Sequence, residues 1–168
     1  QEYIQSDYVT GCALLVRAEF VRKIGLLDPR FFAYYEDTDW SVRCRKAGWK
    51  TAVIPSAKIR HKVSASAPPR SAYIWGHRNM ILFLWKHSSL WRFPFRLRRA
   101  AYKCLHEFAW NKDPVLGEAA MHGLWSALTF CFGQRTRKMP PRLLAVIRSH
   151  LRFFLFLFGF SFRRKEKP

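Results

Sequence analysis

The spacing of apolar and polar positions divides the chain into a stretch of short elements followed by a stretch of long helices. Val9 to Val16 is an apolar run with small residues, which predicts a buried strand. Gly11 inside that run predicts a close backbone approach, either to a ligand or at a bulge. Arg17 to Ile24 predicts a short helix closed by Gly25, a residue suited to a left-handed cap. Leu26 to Tyr35 predicts a loop whose course Pro29 helps to fix. A second helix is predicted from Glu36 to Ala47, with Trp40, Val42 and Cys44 among its packing positions and Gly48 as its stop. Thr51 to Ile54 predicts a strand that Pro55 ends, Lys58 to His61 a further extended piece, and 63–70 a Ser/Ala/Pro loop. From Ser71 the texture changes to helical runs over roughly 71–87, 95–110, 114–132 and 141–158. Pro94, Pro114 and Pro140-Pro141 punctuate them where a helix can start or must stop.

Composition narrows the class. A chain of 168 residues can bury one ordinary core, and a hydrophobic content of 49% excludes wholesale disorder. Fifteen Phe and seven Trp are many for a soluble domain and point to membrane contact or an exposed partner face. The net charge of +19 is unevenly spread. Residues 1–60 carry ten basic and seven acidic side chains, whereas residues 61–168 carry twenty and four. Such a field implies an anionic partner: lipid headgroups, the phosphates of a sugar nucleotide, or nucleic acid. Cys12, Cys44, Cys104 and Cys131 are widely spaced and form no Cys-X-X-Cys pair, so reduced, packed thiols are expected rather than a metal cluster or a disulfide framework.

The chemistry concentrates in Phe31-Phe32-Ala33-Tyr34-Tyr35-Glu36-Asp37-Thr38-Asp39-Trp40, where three carboxylates follow four aromatic residues. After Asp39 no acid appears until Glu107, while fifteen Lys and Arg intervene. Like charges on one short segment repel, so a site that takes up a proton or faces a polyhydroxylated ligand explains the cluster. A helix start explains it too, since the macrodipole favours anions there by roughly 0.3–1 kcal/mol each. Tyr34, Tyr35 and Trp40 can stack on the C–H face of a sugar or pack in a core; Phe31 and Phe32 read as core.

The order and spacing of several segments carry a resemblance. They are Asp7-Tyr8-Val9-Thr10-Gly11-Cys12, Gly25-Leu26-Leu27-Asp28-Pro29-Arg30, the acidic segment, Arg43-Cys44-Arg45-Lys46-Ala47-Gly48-Trp49, His61-Lys62-Val63-Ser64 and Arg78-Asn79. From about Asp7 to about Gly133 the chain resembles the second half of bacterial family 2 glycosyltransferases, especially the rhamnosyltransferase-like branch. The resemblance implies an α/β fold: a partial GT-A-type nucleotide-diphospho-sugar transferase domain followed by a helical C-terminal extension. Residues 1–70 would be the acceptor-side half, and 71–168 the basic, aromatic-rich extension. No Asp-X-Asp motif precedes Gly11, so the expectation is the carboxy-terminal part of a longer enzyme, inactive in isolation.

By the same resemblance Asp37 is the general base of an inverting transfer, Glu36 its orienting or acceptor-binding neighbour, and Asp39 an acceptor contact or a helix starter. Gly11 and Cys12 would line the substrate floor with Tyr34, Tyr35 and Trp40. The implied partners are a nucleotide-sugar donor and a glycan or lipid-linked acceptor, with a divalent cation (Mg or Mn) held mostly by the absent half. His61 is a candidate metal ligand or a strand-end histidine satisfied by one backbone bond. Ser64 and Ser66, with Lys62 and Arg70, could instead contact phosphate as a lid. Arg78-Asn79 reads as a buried polar brace. Leu143 to Phe162, followed by Arg163-Arg164-Lys165, fits an interfacial helix with a basic rim, which with the net charge implies an anionic membrane surface as partner. The expected location is peripheral to the cytoplasmic face of the plasma membrane. The competing reading is a basic membrane- or nucleic-acid-binding module without catalysis, which leaves the acidic cluster unexplained.

Overall fold

A computed structural model describes residues 2–62 and 69–131. In chain order these form β1 (Ile4–Ser6), α1 (Ala18–Ile24), α2 (Glu36–Lys46), β2 (Thr51–Val53), α3 (Pro69–His87), α4 (Phe93–Trp110) and α5 (Pro114–Cys131). The helix expected over 141–158, the interfacial stretch over 143–162 that includes most of it, and Ser64 and Ser66 of the expected lid lie outside the described residues.

The sheet differs from expectation. β1 pairs antiparallel with β2, Ile4 opposite Val53 and Ser6 opposite Thr51. Val9 to Val16 is no strand; it turns at Gly11–Cys12 and most of its residues face solvent. The reason lies in its donors. Val9 N–H goes to Ser41 Oγ at 3.3 Å and Gly11 N–H to Asp37 Oδ2 at 2.8 Å, so side chains of α2 take the amides that a ladder would have used. Lys58 to His61 is likewise irregular and exposed.

α1 and α2 bury Phe20, Trp40 and Cys44 with Leu14, Val16, Val21, Ile24 and Trp49 around them. Gly25 follows α1 at φ 82° as its type suggests, but ψ of 178° makes the exit extended rather than a left-handed cap. α3, α4 and α5 enclose the larger cluster of Ile81, Ala100, Cys104, Phe108, Ala120, Met121, Leu124 and Ala127. Burial pushes the Cys104 thiol up to about 12, consistent with a packed, unreactive sulfur. α3 and α5 touch so closely at Gly123 that a Cβ there would stand 2.7 Å from both His77 Cβ and the Ile74 carbonyl oxygen. That approach accounts for the glycine in Gly123-Leu124-Trp125.

Between these clusters runs the loop that carries the aromatic residues. Phe32, Tyr34 and Tyr35 all adopt left-handed backbone, φ 59°, 68° and 71°, a conformation that costs a non-glycine residue roughly 1–2 kcal/mol. Phe31 is wholly buried, but Phe32, expected in the core, is 75% exposed and rests edge-on against Trp75 at 5.0 Å. The left-handed turn is what throws its ring outward. The strained stretch is held by Asn79 of α3, whose amide reaches the carbonyls of Phe31, Ala33 and Tyr34 at 2.6, 2.7 and 2.8 Å while its Oδ1 accepts from Arg78. Arg78 also donates to the Arg30 carbonyl. The pair is indeed the polar brace the sequence suggests.

Asn79 is fully buried, so its truncation leaves carbonyls dry and unpaired. Asn79→Leu should destabilise by about 2–4 kcal/mol. Asn79→Asp, the same shape with acceptors in place of donors, should cost at least as much. Urea midpoints at unchanged slope measure both. A Leu variant within about 0.5 kcal/mol of the parent would remove the brace from the account.

Candidate active site

α2 starts without a side-chain cap: Tyr35, left-handed at φ 71° and ψ −7°, leads directly into Glu36. The three acids therefore sit on the first turn, and the fold gives each a different environment.

Asp39 points inward and is completely buried. Arg43 Nε donates to its Oδ2 at 2.9 Å; Lys86 Nζ and His87 Nε2 meet Oδ1 at 2.8 and 2.7 Å. Desolvation alone would raise this carboxyl, but His87, Lys86 and Arg43 together outweigh it and hold it below the usual range. The cluster extends outward. Lys86 also reaches Asp28 Oδ2 at 2.6 Å, and Arg30 closes on the same carboxylate at 2.5 Å, which holds Asp28 well below the ordinary range. Arg43 spends its other two nitrogens on the Ile24 and Leu26 carbonyls. An acid so enclosed cannot meet an acceptor sugar, so its role is to join α2, α3 and the loop between α1 and α2.

Asp37 lies on the open side and is half-buried. Its Oδ2 accepts the Gly11 amide at 2.8 Å, and its Oδ1 accepts Thr38 N–H at 2.6 Å and Thr38 Oγ–H at 3.2 Å. A carboxylate offers about four lone-pair directions, so one remains open. Asp37 lines a cavity of about 160 Å³ together with Val9, Leu14, Phe20, Trp40, Ser41 and Thr51. Ser41 steadies the same turn, donating to the Asp37 carbonyl while accepting from Val9.

Glu36 completes the set. Its Oε2 is buried and has no hydrogen-bond partner among the described residues. Desolvation first, and the Asp37 charge in addition, push its carboxyl above the ordinary value.

The remaining candidates distribute as follows. Gly11 contacts Asp37 through its amide, and exposed Cys12 follows with Thr10 Oγ 3.1 Å from its sulfur. Tyr34 is half-exposed, whereas Tyr35 leans on Phe83 at 5.6 Å and is raised by desolvation. Trp40, a stacking candidate, is instead a core residue: Phe20 meets it edge-on at 5.0 Å and its indole N–H donates to the Gly25 carbonyl at 2.9 Å. His61 is exposed, away from any carboxylate cluster, and among the described residues no group of three or more His, Cys, Asp or Glu could hold a metal ion. The basic residues that define the buried half of the site, Lys86 and His87, carry no local signal linking them to Asp39. Arg43, four residues on along a helix, could have been paired with it from spacing alone.

A family profile described as Glycosyl transferase family group 2 matches residues 8–162, nearly the whole chain. The chain belongs to that family. The family implies a GT-A nucleotide-sugar transferase fold, of which the described residues contribute mixed helices and one small sheet. Two curated relatives match, both N-acetylglucosaminyl-diphospho-decaprenol L-rhamnosyltransferases of Mycobacterium tuberculosis, from strains CDC 1551 / Oshkosh and ATCC 25618 / H37Rv. Each is 37% identical over 92 residues, 53% of this chain and 30% of the relative, so the chain spans under a third of their length. No solved structure matches. Family 2 glycosyltransferases commonly use a divalent cation.

The acids should leave opposite marks on stability. Asp39, lowered in the fold, contributes stability that is present above the ordinary carboxyl value of about 4 and lost as pH falls through its lowered value. Glu36, raised in the fold, contributes stability that is full below its ordinary value of about 4.3 and lost as pH rises through its raised value. Glu36→Gln should therefore gain stability over the parent on the neutral side, and Asp39→Asn should lose it there, read by urea unfolding across pH. An Asp39→Asn variant as stable as the parent at neutral pH would contradict the ion cluster.

Proposed function

We propose that the chain carries the acceptor side of an inverting sugar transfer, with Asp37 as the general base. The observation behind this reading is the Asp37 carboxylate, fixed by the Gly11 and Thr38 donors, with one acceptor direction unused, in a residue that lines a cavity. The acceptor hydroxyl gives its proton to Asp37 as its oxygen bonds to the anomeric carbon. On the opposite face of that carbon the bond to the nucleoside diphosphate breaks, and the departing phosphate oxygen keeps the electron pair. Glu36, dry and raised, is suited to holding an acceptor hydroxyl in line, and half-exposed Tyr34 to covering the sugar ring.

Likeness to the mycobacterial relatives favours a deoxyhexose such as rhamnose from a nucleotide-sugar donor, and a lipid-linked acceptor, with a role in cell-surface polysaccharide synthesis. A lipid-linked acceptor in turn favours an enzyme lying on the cytoplasmic face of the plasma membrane. No helix among the described residues is long and apolar enough to cross one. A basic binding module without catalysis accounts for the charge but not for three carboxylates in three environments, and family membership weighs against it.

In the whole enzyme Asp37→Asn should reduce turnover by a factor of about 10²–10⁴ while donor binding, followed by calorimetry, persists. Asp39→Asn should behave differently: stability and soluble yield fall because Lys86, Arg43 and His87 lose their buried counter-charge. Near-normal turnover by Asp37→Asn would remove the base assignment.

A further inference from the structure

The corner between α3 and α4 presents to solvent what a folded chain ordinarily covers. Leu90 and Trp91 are each 85% exposed and Phe95 is 71% exposed. Half-exposed Trp85 meets Phe93 edge-on at 5.3 Å in the same eleven-residue stretch, so the turn from α3 into α4 is an apolar knob by composition and exposure. None of them is needed by the core, because α4 already buries its opposite face through Ala100, Cys104 and Phe108. Cations surround the knob. Arg92, Arg96, Arg98, Arg99 and Lys103 are all exposed, and no carboxylate occurs between Ser88 and His106. Three of them, Arg96, Arg99 and Lys103, wall a groove of about 700 Å³ floored by Met80, Leu84 and Ala100. Farther along α4, Tyr102, His106 and Trp110 continue an aromatic row at 6.0 and 5.3 Å.

We propose that the α3–α4 corner docks this protein on an anionic lipid bilayer, with Leu90, Trp91 and Phe95 entering the headgroup layer and the arginines resting on lipid phosphates. The pairing of chemistries selects the partner. A purely apolar protein partner would leave five uncompensated cations at the seam, and a nucleic acid would satisfy the cations while leaving an aliphatic and aromatic knob in water. A charged interface over hydrocarbon takes both. The position also fits the site. His87, three residues before Leu90, bonds to Asp39 of α2, so the corner is tied directly to the helix that carries the candidate base. The inference rests on the membrane-surface part of the proposed function and not on which sugar is transferred.

Cosedimentation of the full chain with vesicles of phosphatidylcholine, alone or mixed equally with phosphatidylglycerol, tests it. Leu90→Ser/Trp91→Ser/Phe95→Ser should partition about ten-fold more weakly at every salt concentration, since insertion is lost. Arg92→Gln/Arg96→Gln/Arg98→Gln/Arg99→Gln should be weaker at low salt and approach the parent at high salt, where the ionic part is screened. Circular dichroism and thermal midpoint should be unchanged in both, because the replaced side chains face water. Asp37→Asn should bind vesicles like the parent, so failure of the base assignment would not be mistaken for failure of docking. Parent-like vesicle binding by the Leu90/Trp91/Phe95 variant would overturn the corner while leaving membrane association standing. A parent chain that ignores both vesicle types, or prefers single-stranded nucleic acid in a salt-erased manner, would overturn both.

Discussion

The arrangement of the site depends on one buried anion. Asp39 has no exposed surface and three basic side chains as partners, Arg43, Lys86 and the His87 imidazole, which do not come from its own neighbourhood alone. Arg43 belongs to α2 and reaches back to the carbonyls before the aromatic loop; Lys86 and His87 belong to the last turn of α3. Removing a charge from water costs several kcal/mol, and a buried pair often returns little more than that cost. What the cluster supplies is therefore geometry more than stability. α2 can start in one place only, with its second residue turned toward Gly11 and its fourth toward α3.

That constraint explains how three neighbouring carboxylates escape equivalence. Asp39 is surrounded by cations, Asp37 by neutral donors, and Glu36 by little that can bond its Oε2. The helix geometry alone would have left all three on a solvated first turn. Asn79 supplies the second anchor by gathering the loop carbonyls of Phe31, Ala33 and Tyr34, and only with both anchors in place can Phe32, Tyr34 and Tyr35 remain left-handed. Strain gathered beside candidate chemistry and opposed by a buried brace is a pattern of functional loops.

Much of this was legible in the sequence, in proportion to how local its cause is. The helices over 18–24, 36–46, 69–87, 93–110 and 114–131 follow from apolar spacing, glycine stops and proline starts, and they match expectation to within a few residues. The acidic segment announced itself through its contrast with a basic chain. Val9 to Val16 misled because its apolar content is real but its amides are claimed by Ser41 and Asp37, partners more than twenty residues away. Phe32 left the core for a similar reason: the left-handed backbone that exposes it is a tertiary fact with no trace in residue type, whereas Trp40 took the packing position that its helix spacing offered, fixed there by the Gly25 carbonyl.

The helices after residue 70 are consequently part of the site's construction. α3 contributes Arg78 and Asn79 from its middle and Lys86 and His87 from its last turn to the loop and first turn that bear the acids. α5 presses on α3 at Gly123, against the backbone of Ile74 and of Arg78, the residue next to Asn79. A bulkier residue at that contact would have to move α3, and α3 cannot move without pulling the carbonyls of Phe31, Ala33 and Tyr34 or the counter-charges of Asp39. The precision of Asp37 thus descends from helix packing some distance away: Gly123 sets how close α5 lies, α3 takes its position from α5, and the acidic turn takes its position from α3.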